Sequence, residues 1–265
     1  MKKYQGFSIA GIIISVAVVA LIGVATFLVI DGQRKATNFD NYDFYSVIEA
    51  DEHNGGIGDH VKTDKDGSYT GEPVYIFEYA DFQCPGCASL NPRVNQAVDD
   101  LDGKLAIVYR HDLLSYHQNA TAAASAAEAI GLQDKNNEKG WWKKYGDRLF
   151  SNQSEWESLS GSERTATFEK YFTEITGDEG DLEKFRSDVA SSSVSKKISF
   201  DMGISKRMNV EGTPAFFVDG QFIPWSSKEG GSVTVNGKTI SWESSLSGSE
   251  FVNILKQIVE AKIGS

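Results

Sequence analysis

The chain has 265 residues, 26 Lys+Arg against 37 Asp+Glu, and a formal net charge of −11. That balance excludes a sequence-independent grip on DNA or RNA, which needs a basic face, so no nucleic-acid partner is expected. At 24% charged and 40% hydrophobic the chain can build a sizeable core. Two cysteines exclude a disulfide-dense scaffold and a four-cysteine zinc site; they stand three apart, at Cys84 and Cys87.

Residues 7–30 carry no charge and only three polar side chains, Ser8, Ser15 and Thr26. As a helix the run is roughly 36 Å long, enough to cross a hydrocarbon core of about 30 Å. A buried core helix would keep a polar face, and this run has none. Gly23-Val24-Ala25 offers a small-x-small cleavage site, but the apolar run continues past it, beyond the usual signal-peptide core. Residues 1–30 are therefore expected to be a retained anchor, with 7–30 as its transmembrane helix. Lys2, Lys3 and the α-amino group precede the span, and Arg34 and Lys35 follow it beside Asp31. Positive-inside counting slightly favours a cytoplasmic N-terminus. The acidic body then lies outside the cell membrane, where disulfides persist. Residues 31–56 read as a polar tether, and turn-rich sequence continues to about Pro73. A short apolar patch, residues 44–48, is placed to dock on the domain.

Residues 74–79 (VYIFEY) are β-branched and aromatic, a strand. Asp81-Phe82-Gln83 and Cys84-Pro85-Gly86-Cys87 follow, then a helical stretch towards Leu101 and a second strand at 104–110. That order makes a βαβ unit with parallel strands. Next come helices over 119–130, closing on Gly131, over 141–150, over 162–175, and over 181 to about 202. Ser154 with Glu157 and Ser247 with Glu250 have capping-box spacing. Strands return at 215–218 and 221–223, joined by Asp219-Gly220, a type I′ hairpin signal. A second hairpin is predicted around Asn236-Gly237. Phe251, Ile254, Leu255, Ile258 and Val259 mark a final amphipathic helix. The fold class is α/β: one domain at 57–265, its small sheet flanked by helices, with a helical insert at about 115–205.

A Cys-x-x-Cys after a strand and opening a helix has a physical logic. Unpaired N–H groups and the dipole at the helix start favour a thiolate at Cys84. Cys87, one turn further in, can reach the Cys84 sulfur and resolve a mixed disulfide. Pro85 suits the first helical turn, and Gly86 leaves the space beside the sulfurs open. The pattern is also half a zinc ribbon, but no other cysteine completes it, and the four histidines lack ligand spacing. A structural disulfide closing so short a loop would gain little. Further along, Thr213-Pro214 opens a strand, where a cis X-Pro bond can sit.

Residues 78–87 (EYADFQCPGC) resemble the active-site strand and helix start of the DsbA-like thioredoxin-fold oxidoreductases, nearest to the membrane-anchored bacterial branch. Three more blocks match in order: Tyr109-Arg110-His111 through His117-Gln118-Asn119-Ala120, Trp141-Trp142 through Leu149-Phe150, and Gly212-Thr213-Pro214-Ala215-Phe216-Phe217 with Asp219-Gly220. The resemblance covers roughly residues 57 to 263. It implies a thioredoxin fold with a helical insert and a cis-Pro214 loop facing the dithiol. Thr213 and Pro214 would give backbone contacts to an extended substrate segment. It also implies cysteine-containing exported proteins as substrates, a membrane redox partner that resets the dithiol, and no diffusible cofactor.

Glu78 and Asp81, before the motif, are candidates to accept the proton of the buried cysteine. Asp112-Leu113 stands where the family often has Pro-Leu. Residues 63–72 look like an insertion, and 224–246 add a hairpin of unassigned role. Pro85-Gly86 lacks the histidine found in strong oxidants, which points to a less oxidising pair. Three other readings remain open on sequence: a reductase or isomerase of the same fold, a non-catalytic module with a static disulfide, and metal carriage.

Overall fold

The two strands with the strongest sequence signal form the centre of the sheet. The structure, a computed structural model, describes residues 39–64 and 66–264. The expected membrane helix at 7–30 lies outside those residues. Strands β1 (His60–Thr63), β2 (Val74–Ala80), β3 (Leu105–His111), β4 (Ala215–Val218) and β5 (Gln221–Phe222) pair in the order β1-β3-β2-β4-β5. β2 and β3 are parallel, with Val74 opposite Leu105 and Ala80 opposite His111, and the other pairs are antiparallel. Helix α1 (Pro85–Asp100) makes the crossover that parallel strands require. β3 is buried throughout and β2 nearly so, which is why both read as unbroken apolar runs.

One core cluster joins Ile76, Val94, Val98, Ile107, Phe216 and Leu255. It packs α1 and the C-terminal helix (Gly248–Ile263) against the sheet. The helical insert comprises α2 (Ala120–Gly131), α3 (Trp141–Ser151), α4 (Gln153–Trp156), α5 (Gly161–Thr176), α6 (Leu182–Val189) and α7 (Ser192–Arg207). Its cluster contains Phe82, Tyr109, Trp141, Trp142, Tyr145 and Trp156 together with both cysteines. The insert therefore walls in the dithiol. Strands β6 (Gly231–Val235) and β7 (Lys238–Trp242) form a separate hairpin, and α8 (Gly248–Ile263) ends the chain. Both hairpin turns carry the positive φ pair of a type I′ turn: 47° and 74° at Asp219-Gly220, 47° and 76° at Asn236-Gly237.

Several local readings are corrected. Ser247 and Glu250 form the expected capping box on α8, but Ser154 lies inside the short α4 and caps nothing. The stretch from Asp181 divides into α6 and α7, because Ser191 stops one helix and accepts the Val194 N–H that starts the next. Gly131 ends α2 without a left-handed φ. A Cβ there would come within 3.2 Å of the Trp142 ring and 3.3 Å of His60, so the glycine serves close packing.

The largest correction concerns the tether. From Tyr42 onward the chain belongs to the same unit as the domain. Ile48 and Asn54 are buried. The Arg110 guanidinium donates to the Phe44 carbonyl at 2.6 Å and the Ser46 carbonyl at 2.9 Å, and pairs with Asp59 at 2.7 Å. Lys197 bridges Asp59 (3.1 Å) and Asp201 (2.8 Å). Burial pushes the Asp59 carboxyl up, but Lys197 and Arg110 overcome it and hold the group below its usual range. What reads as a polar leader is thus fixed by a buried charge network.

Candidate active site

The turn after β2 sets the geometry. The Cys84 N–H donates to the Asp81 carbonyl at 3.0 Å, and Cys84 is the N-cap residue of α1 with extended backbone (φ −75°, ψ 121°). Pro85 takes the first helical position, where no donor is lost. Cys84 is 6% exposed and Cys87 1%, and both are free thiols. A hydrogen bond from Cys87 lowers the Cys84 pKa most. Burial opposes it, and Thr213 and the N–H groups of Cys87 and Gly86 lower it further, to about 5. Burial pushes the Cys87 thiol well up, and the neighbouring Cys84 adds to that. One sulfur is made a good leaving group and the other a thiol that holds its proton.

The Thr213–Pro214 bond is cis, and its loop lies against the pair. The Cys84 thiol donates to the Thr213 carbonyl at 3.3 Å. A Cβ on Gly86 would stand 3.4 Å from Pro214 Cδ and 3.6 Å from the Cys84 sulfur, so the glycine keeps this cleft open. The Thr213 hydroxyl is buried with no partner meeting ordinary hydrogen-bond geometry. It favours the charged forms of both cysteines. Thr213→Val is therefore expected to move the Cys84 alkylation midpoint up from about 5. An unchanged midpoint would show that the hydroxyl does not act on the thiolate.

The two acids singled out in the sequence are both buried and both paired. Glu78 is buried and pairs with Lys62 at 3.1 Å. Lys62 also reaches Asn91 on α1 at 3.3 Å and lies 5.2 Å above the Tyr109 ring. The Asp81 carboxylate accepts the N–H groups of Gln83 (2.8 Å) and Leu114 (2.9 Å) and bonds His117 Nδ1 at 2.8 Å. The backbone of Asp81, rather than its carboxylate, bonds Cys87.

Sequence reading missed Lys62, which sits on a strand it did not predict. It also gave no role to His117 or Asn119, although both fall in a block quoted for the resemblance. Asn119 donates to the carbonyls of Trp156, Glu157 and Leu159, while its own N–H meets the Gln83 side chain. Gln83 in turn donates to Glu157. The insert is thereby latched to the residue before Cys84. Beside Pro214 a groove of about 430 Å³ is lined by Met208, Val210, Phe217, Phe222 and Trp225. Among the described residues no group of three or more His, Cys, Asp or Glu side chains is arranged to hold a metal ion.

A family model described as thioredoxin matches residues 69–244. The chain is 32% identical over 164 residues to the Na(+)/H(+) antiporter NhaA 3 of Salinispora tropica, covering 62% of this chain and 22% of that protein. It thus spans about a fifth of the length of the first curated relatives it matches. It is 26% identical over 218 residues to the probable disulfide bond formation protein D of Bacillus cereus, covering 79% of this chain and 87% of that one. Among solved structures it is similar to oxidised BdbD of Bacillus subtilis, with 14% identity, a TM-score of 0.54, and coverage of 84% and 100%. It is also similar to alpha-DsbA1 of Wolbachia pipientis, with 17% identity, a TM-score of 0.52, and coverage of 78% and 92%. These last two likenesses are of fold.

Proposed function

This chain belongs to the DsbA-like thioredoxin family, and from that premise we propose that it is a thiol-disulfide oxidoreductase that forms disulfides in exported proteins. The observation that carries the reading is the pairing of a low-pKa Cys84 with a buried Cys87 of raised pKa, against the Thr213–Pro214 loop.

In the oxidised protein a substrate thiolate attacks the Cys84 sulfur. The Cys84–Cys87 bond breaks, and Cys87 leaves and takes a proton. The mixed disulfide is then attacked, at the substrate's sulfur, by the substrate's second thiolate. Cys84 leaves as a thiolate. The substrate loses two electrons, which the pair keeps as a thiol and a thiolate. Stabilising that last leaving group favours transfer of the disulfide to the substrate. Here the stabilisation needs no histidine between the cysteines, because Cys87, Thr213 and two helix-start N–H groups supply it. That argues for a more oxidising pair than Pro85-Gly86 alone would lead one to expect.

The substrate segment docks in extended form along Thr213 and Pro214. Glu78 and Asp81, both buried, are the acids assigned to the proton of Cys87. A membrane redox partner resets the dithiol, and the catalytic domain works outside the cell membrane, held by the apolar run at 7–30. No helix of the described residues is long and apolar enough to cross a membrane, so the anchor rests on the hydropathy of that run.

The reduction potential of the Cys84–Cys87 pair tests the direction. A value well above that of thioredoxin, about −270 mV, is expected. A value at or below it would turn the reading into a reductase of the same fold.

A further inference from the structure

The segment 224–246 has no part in the dithiol chemistry, yet its second residue reaches the docking loop. Trp225 Nε1 donates to the Pro214 carbonyl at 3.1 Å. The ladder between β4 and β5 explains why a side chain is needed there. The Ile223 N–H donates to the Phe216 carbonyl at 2.8 Å. Along a strand, carbonyls two residues apart share an edge, so the next acceptor is the carbonyl of Pro214. Its natural donor would be the N–H of residue 225. That N–H is turned back onto the Ile223 carbonyl at 2.8 Å, and Pro224 between them has no N–H to offer. The indole N–H supplies the missing rung.

The rest of the segment holds the indole in place. The Leu246 N–H donates to the Trp225 carbonyl at 2.8 Å. The ring packs edge-on against Phe251 of α8, with centroids 5.9 Å apart. Gln221 clasps the hairpin by donating to the Thr234 carbonyl (2.6 Å) and accepting its N–H (3.2 Å). Val233, Val235 and Ile240 are buried in the core cluster with α8. The Pro214 carbonyl is therefore held from the hairpin side by Trp225, one residue from the Thr213 carbonyl that the protonated Cys84 thiol reaches.

Resting on the oxidoreductase reading above, we infer that Trp225 is a positioning residue for substrate docking. The added hairpin serves to present its indole to the Pro214 carbonyl, which keeps the Thr213 backbone aligned for an extended peptide. Trp225 touches neither sulfur, so it acts only through the position of the Thr213–Pro214 backbone.

The test uses Trp225→Phe, which keeps an aromatic ring against Phe251 and removes the donor. The probe is a cysteine-containing model peptide oxidised by the protein. KM is expected to rise about tenfold, the cost of one buried hydrogen bond, while kcat changes less than about twofold. The pH midpoint of Cys84 alkylation moves less than it does in Thr213→Val, since the Thr213 hydroxyl is retained. Trp225→His, which returns a ring N–H, recovers most of the lost KM. A wild-type KM in Trp225→Phe overturns the inference. So does a fall in kcat with a lowered melting temperature and no recovery in Trp225→His, since that is a purely structural effect. Wild-type protein that oxidises no peptide at all would instead overturn the oxidoreductase reading, and this inference with it.

Discussion

Cys87→Ser is expected to turn the protein into a trap that accumulates a stable mixed disulfide through Cys84 when it meets a disulfide-bearing substrate or a small disulfide, whereas Cys84→Ser forms none. The asymmetry follows from burial and charge. Cys84, at the N-cap of α1 and facing the open cleft beside Gly86, carries the thiolate; Cys87 is almost fully enclosed and its pKa is raised. With Cys87 gone, nothing within the protein can attack the mixed disulfide, and release waits on an outside thiol. Both variants lose essentially all turnover. Non-reducing gels of protein mixed with a small disulfide separate them, because only Cys87→Ser shows the adduct. An adduct of equal yield in Cys84→Ser would reverse the assignment.

The second large effect is on stability. A disulfide that serves structure stabilises the fold, and breaking it costs stability. Here the opposite is expected at neutral pH. The folded Cys84 pKa, about 5, lies below its ordinary value of 9.0. A depressed pKa contributes stability that is fully present above the unfolded value and is lost as pH falls through the folded one. Reduced protein therefore gains stability from pH 5 upward towards 9. Oxidised protein has no thiolate and gains none of it. Melting temperatures of the two forms should favour the reduced form at pH 7, and the gap should close by pH 4. For a domain of this size each 1 kcal/mol moves the midpoint by roughly 2–4 °C. An oxidised form that melts higher at pH 7 would mean that Cys84–Cys87 is a static bridge.

The features legible in the sequence are those with local causes. The apolar runs at β2 and β3, the Asp219-Gly220 and Asn236-Gly237 turns, the Ser247 cap and the Cys-Pro-Gly-Cys helix start each depend on neighbouring residues. What escaped depends on partners far along the chain. β1 is four residues long, and its one buried residue is Lys62, a charge that pattern reading assigns to solvent. Glu78, 16 residues on, and Asn91 on α1 supply the partners that make that burial possible. Residues 42–56, within the expected tether at 31–56, read as unanchored because the donor that holds them, Arg110, comes from β3. Trp225 gives no signal for its role, since its acceptor is a backbone carbonyl on another strand.

The most direct test of the account is the rate of Cys84 alkylation as a function of pH in the reduced protein. A midpoint near pH 5 is expected. A midpoint near the free-thiol value of about 8.5 would contradict it, since neither a facile leaving group nor an oxidising pair would then exist.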